Sequence, residues 1–131
     1  MTDSNANAIA AGLEALDGFM AAFNARDADA IRARWFHFPH VRFHSGKVTL
    51  MPSPADYHNL VWQRTGQSAD WGHTRWDYRE VIDAGPDKVH FRVQFTRYRP
   101  DGGAIGSYKS LYIVTLRDGR WAIQARSSWA E

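Results

Sequence analysis

The chain reads as an α+β fold in which helices of the N-terminal half are covered by a curved antiparallel sheet. Two features predict this. An apolar stripe with helical spacing opens the chain, and strands with two-residue alternation, separated by turn signals, fill its second half. A third follows from them: the hairpin registers agree on one apolar sheet face.

Residues 1–8 are small and polar and are expected to fray. From Ile9 the stripe runs Ile9, Leu13, Leu16, Met20, Phe23, one face of a helix. Asn24-Ala25-Arg26 ends it, and Asp27 or Asp29 caps a short second helix through Ile31 to Trp35. Pro39 stops that helix, because the residue before a proline avoids helical geometry. Val41–His44 and Val48–Leu50 then form a short hairpin around Ser45-Gly46. Ser53 is a helix N-cap followed by Pro54, and Asp56 faces the dipole. A third helix is expected there, with Tyr57, Leu60 and Val61 on its apolar face.

A long four-strand meander follows, over roughly His73–Asp83, Lys88–Tyr98, Ala104–Leu116 and Trp121–Trp129. Asp118-Gly119 is a strong hairpin signal. A turn at Gly85-Pro86 places Ile82 opposite Val89, Glu80 opposite Phe91, Tyr78 opposite Val93 and Trp76 opposite Phe95. The last hairpin sets Leu116 against Trp121, Val114 against Ile123, Tyr112 against Ala125 and Ser110 against Ser127. Matching apolar faces pair Val93 with Tyr112 and Phe91 with Val114. One face then carries Trp76, Tyr78, Val89, Phe91, Val93, Phe95, Val114, Trp121 and Ile123. The opposite face is polar, with Arg79, His90, Arg92, Gln94, Thr96, Lys109, Gln124 and Arg126, interrupted by Leu111 and Ile113.

The bulk numbers narrow the function classes. With 131 residues the chain is expected to be a single domain, 1–131, able to bury a core without metals or disulfides. A net charge of +2 with no run of like charges argues against a nucleic-acid partner. Cysteine is absent, which excludes disulfides, thiol nucleophiles and thiolate metal sites. There is no secretory signal pattern and no apolar stretch of membrane-spanning length, so a soluble cytoplasmic protein is expected. No Walker loop, Rossmann fingerprint, nucleophile elbow or HExxH is present.

The order of elements resembles the nuclear-transport-factor-2-like superfamily, with its cone-shaped, cystatin-like sheet wrapped around three helices. The segments that carry the resemblance are Phe19–Ile31, Phe91-Arg92-Val93 and Gly119-Arg120-Trp121-Ala122-Ile123, within a likeness running from about Ile9 to Trp129. Ketosteroid isomerases, scytalone dehydratase and polyketide cyclases of the SnoaL type share that fold. The resemblance implies a small-molecule pocket, no cofactor and frequent dimerisation through the sheet. It does not imply steroid isomerisation. Phe19 stands where the isomerases place a donor tyrosine, and His44-Ser45-Gly46 stands where they place the base aspartate. Tyr112 falls at about the position of their second oxyanion donor, a protonated aspartate.

Candidate site residues follow from the faces. Tyr112, Ser110 and Ser127 present hydroxyls on neighbouring strands, either to a ligand oxygen or to one another. Glu80 beside Phe91 is either a general acid or base with a raised pKa, or a rim carboxylate paired with an arginine. Tyr78 and Val93 join this lining, Phe19 and Phe23 cover it from the first helix, and Tyr57 and Trp62 stand at the rim. His37 and His40 either line the pocket mouth or belong to the H-x-x-H-x-x-x-H run ending at His44, in which Pro39 and strand alternation disfavour a metal site. Arg126 either binds an anionic ligand through its fork or, as the register places it, stands on the outer face and pairs at an interface; a bulge in the last strand would invert that placement. Two readings remain open: a cofactor-independent lyase, isomerase or cyclase acting by acid–base chemistry on an apolar ring, or a non-catalytic binding or dimerisation module. Leu111 and Ile113 predict a homodimer through the outer sheet face.

Overall fold

Helix α1 spans Asp3–Asn24. It starts six residues before Ile9, and Ala8 is already buried at 2% exposure, so from Asp3 on the helix is formed where fraying is expected. The structure is a computed structural model that describes residues 3–58 and 71–129. The stripe that faces the sheet is Ala8, Ala15, Leu16, Phe19, Ala22 and Phe23, with Ile9 and Leu13 at its margin. Small residues let α1 lie close to the sheet. A Cβ at Gly12 would come within 2.9 Å of the Phe91 ring, and one at Gly18 would collide with Trp35.

Asn24 fastens the end of α1. Its amide donates to the Thr74 carbonyl and its oxygen accepts from the Thr74 N–H, both at 2.8 Å. Asp27 caps a short second helix, α2 (Ala28–Ala30), accepting from the Ala30 N–H at 3.0 Å. One π turn, Ile31–Trp35, continues it. The helical run ends at Trp35 and extended backbone begins at Phe36, well ahead of Pro39.

The strands are β1 (Phe36–His44), β2 (Lys47–Met51), β3 (His73–Gly85), β4 (Lys88–Tyr98), β5 (Ala104–Arg117) and β6 (Arg120–Ser128). They form one six-stranded sheet in the order β2-β1-β6-β5-β4-β3. Every pairing is antiparallel except β1 with β6, which run parallel. The sheet is curved and unclosed. Asp118 and Gly119, with φ of 54° and 73°, make the β5–β6 turn that the Asp-Gly pair signals.

Of the expected third helix only the start lies among the described residues, and it is not α-helical. Ser53 and Asp56 make the capping box, but only a 3-10 turn follows (Pro54–Asp56), and Tyr57 is already extended. Leu60, Val61 and Trp62, which the expected helix contained, lie outside the described residues. Among the described residues there are two α-helices, and none is long and apolar enough to cross a membrane.

Candidate functional site

Three bulges decide which side chains reach the concave face, and the sequence pattern shows none of them. Between β3 and β4 the turn sits at Pro86-Asp87, with Gly85 opposite Lys88. Register shifts at Asp77 and Ile82 then leave Arg79 opposite Val93, Glu80 opposite Arg92 and Tyr78 opposite Gln94. Trp76 opposite Phe95 is as expected. Tyr78 and Glu80 therefore stand on the outer face with Gln94 and Arg92, not in the concave lining. Glu80 is exposed and lies 3.9 Å from Arg92. Asp77, displaced at the first bulge, accepts hydrogen bonds from Gln94 Nε2 (3.0 Å) and Thr96 Oγ1 (2.6 Å), which hold it outward.

The third bulge lies in β6. Gln124 is the extra residue between Val114–Ile123 and Ile113–Ala125. Its side chain holds the distortion, accepting from Thr115 Oγ1 (3.0 Å) and Arg117 (3.2 Å) and donating to the Pro39 carbonyl at 2.5 Å. Beyond it every side chain changes face. Ala125 and Ser127 turn outward, and Ser127 is exposed. Arg126 turns inward opposite Tyr112, and Ser128 replaces Ser127 as the partner of Ser110. The Ser110 and Ser128 hydroxyls are buried and bond each other at 2.8 Å.

The remaining expected contacts split. Val93 is fully buried on the concave face, and its partner is Ser110, while Phe91 pairs with Tyr112. This is a slide of two residues from the expected pairing, so the faces are unchanged. Phe19 covers the sheet as expected. Its ring stacks on Phe36 (5.3 Å between centroids) and tilts against Tyr112 (6.1 Å). Phe23 packs edge-on to Trp71 at 5.5 Å. Tyr57 is core rather than rim: it is 2% exposed and T-shaped on Phe36 at 5.2 Å. No room opens between Phe19 and Ala125, because Ala125 lies on the other side of the sheet and Phe36 fills the place beneath Phe19.

The three histidines of the spaced run do not gather. His37 is buried on the side of β1 opposite Phe36, where its Nε2–H donates to the Arg120 carbonyl at 2.9 Å. It does not line a mouth with His40. Burial lowers its pKa, and the charges of Arg120 and Arg117 add to that. His44 reaches Thr49 at 3.3 Å. Among the described residues no three His, Asp or Glu side chains are grouped to hold a metal.

His40 is the histidine that the concave face uses. It is completely buried and stacks on Phe36 with centroids 4.0 Å apart. Its Nδ1–H donates to the Ile123 carbonyl at 3.1 Å. Its Nε2 therefore carries the lone pair, and it accepts from Arg126 Nε at 3.0 Å. Burial first, and then the Arg126 charge, push its pKa down to about 2. A neutral imidazole thus holds one edge of the guanidinium, while the guanidinium lies over the Phe36 ring at 4.7 Å.

Tyr112 completes the constellation. It is 5% exposed, T-shaped against Trp76 (5.4 Å), and its hydroxyl makes no hydrogen bond with a described residue. The Trp76 indole nitrogen beside it is buried and also without a hydrogen-bond partner. The face thus offers hydrogen-bond donors from Tyr112, Trp76 and Arg126 on an apolar aromatic surface. The described carboxylates nearest in the fold point elsewhere: Glu80 and Asp77 outward, and Asp17 to Arg79 at the exposed side of α1.

Solved structures with this arrangement of elements are numerous. A protein of unknown function with a cystatin-like fold from Nostoc punctiforme is 13% identical, with a TM-score of 0.68 over 100% of this chain and 94% of that one. A ketosteroid isomerase-like protein from Erwinia carotovora atroseptica is 16% identical, with a TM-score of 0.65 over 98% and 97%. An NTF-2 like protein of unknown function from Shewanella oneidensis is 16% identical, with a TM-score of 0.65 over 90% and 95%. At these identities the likeness shows the fold and carries no residue role. No curated protein matches the chain. The family model described as NTF2-like protein (DUF6841) matches residues 13–128, and the chain belongs to that family.

Proposed function

We propose that the concave face binds a small ring-containing molecule bearing an oxygen acceptor, with Tyr112 as its principal hydrogen-bond donor. The observation that carries this reading is the buried, unpartnered Trp76 Nε1 beside the Tyr112 ring, on an aromatic surface. A buried donor without a partner is disfavoured by about 1–3 kcal/mol, and a ligand oxygen would remove that penalty. Phe19, Phe23 and Val93 supply the apolar surroundings usual for such sites.

The chemistry supported is polarisation of a carbonyl or hydroxyl by Tyr112, without a cofactor. With Glu80 on the outer face, the acid–base pair Tyr112–Glu80 is not assembled. This favours binding, or catalysis by a donor acting alone, over isomerisation driven by a carboxylate base. The test is calorimetric titration with a bicyclic aromatic ketone and the hydrocarbon lacking its oxygen. The ketone should bind more tightly, and Tyr112→Phe should weaken it by about 0.5–1.5 kcal/mol while leaving the hydrocarbon unchanged. Equal affinities for the two would refute the assignment of Tyr112.

The homodimer is part of the same proposal. Leu111 and Ile113 lie on the outer face, opposite Arg92 and His90 of β4, as apolar positions among polar ones. A second copy placed face to face would cover them.

A further inference from the structure

Resting on that reading of the concave face, we infer that the ligand carries a carboxylate and that the Arg126 guanidinium receives it end-on through its two Nη groups. The geometry points to this in three steps. First, Arg126 reaches the concave face only because Gln124 is bulged out, which places it opposite Tyr112 on β5 and Arg42 on β1. Nothing in the packing of an apolar face requires a guanidinium at this position.

Second, the one hydrogen bond that Arg126 makes to a described side chain is to His40, a neutral group. The described ion pairs occupy Arg32, Arg79 and Arg92. Among the described residues Arg126 has no carboxylate partner, and it lies half-buried over Phe36. Third, a guanidinium grips a carboxylate through either Nε and one Nη, or both Nη groups. His40 occupies Nε, which leaves the end-on fork. Because Nδ1 of His40 is fixed on the Ile123 carbonyl, the imidazole cannot turn away, and the fork is held in one orientation.

The flanking surfaces select the rest of the molecule. Phe36 lies under the guanidinium, and Tyr112 and Trp76 continue the aromatic surface along β5 and β3. A planar ring acid matches them: the carboxylate on Arg126 and the ring toward Tyr112 and Trp76. Arg126 is a binding residue in this arrangement, and His40 a positioning residue that acts through it.

The experiment compares naphthoate with naphthamide, a neutral molecule of nearly the same shape, by calorimetric titration against the full chain. The expected result is a preference for naphthoate of roughly tenfold, since hydrogen bonds between two charged partners are about twice as strong as neutral ones. Arg126→Gln should abolish the preference while naphthamide still binds. Arg126→Lys, which keeps the charge and loses the fork, should retain only part of it, and near-unchanged thermal melting of both variants excludes misfolding. Equal binding of the two probes, unaffected by Arg126→Gln, would overturn the carboxylate inference and leave the reading of the concave face standing. Failure of both probes to bind would overturn the two together.

Discussion

Tyr112 stands directly across the β5–β6 ladder from Arg126, and the side chain of Gln124 is what puts it there. Removing that side chain should loosen the bulge. Gln124→Ala loses bonds to Thr115, Arg117 and the Pro39 carbonyl, all partly exposed. Destabilisation of about 1–2 kcal/mol is expected in urea unfolding. A variant as stable as the parent would show that backbone pairing alone sets the bulge.

Phe91 is fully buried between α1 and the sheet, against Gly12. Phe91→Ala should cost about 3–5 kcal/mol, the combined loss of buried area and of packing around the cavity left behind. An unchanged denaturation midpoint would contradict the face on which Phe91 is placed.

The pH dependence of stability follows from His40. In the folded chain its pKa is held down to about 2, chiefly by burial and then by Arg126. In the unfolded chain it takes up a proton below about pH 6.5. Over that window the unfolded state binds more protons, so stability is fully present above about pH 6.5 and falls as pH drops toward about 2. The slope from one such histidine approaches about 1.4 kcal/mol per pH unit. His37, lowered in the same direction, adds to the fall. His40→Asn should flatten the decline between about pH 6 and pH 4 in urea midpoints; an identical slope in the variant would remove His40 as its cause.

Light scattering at tens of micromolar should give twice the chain mass if the outer face is the dimer contact. The double variant Leu111→Glu, Ile113→Glu should then run as a monomer, since like charges would be buried against their symmetry mates. A parent protein that is monomeric at that concentration would exclude the dimer.

Alternation gave the concave positions of Val89, Phe91, Val93, Phe95, Tyr112, Val114 and Ile123, because side chains on paired strands share faces whatever even slide the pairing takes. The same logic failed at Tyr78, Glu80 and Ser127, each of which follows an odd insertion. Asp77, Ile82 and Gln124 have no feature that marks them as extra, and a bulge is stabilised by contacts distant in sequence, such as Gln124 with Pro39. His40 and Arg126 were visible as residues, but only the bulged register brings them together. Ser53-Pro54 signals a helix start and so points Tyr57 to a rim; the capping box is present, but Tyr57 is already extended and turns into the core.

The two bulges in β3 have an outcome beyond register. β3 is an edge of the sheet, with a row of backbone groups that could template the addition of another strand. The displacements at Asp77 and Ile82 interrupt that row, and exposed Arg75, Asp77 and Glu80 place charge along it. Strand-to-strand extension into fibrils is thereby discouraged at this edge, while the broad face remains available for closed, two-fold association.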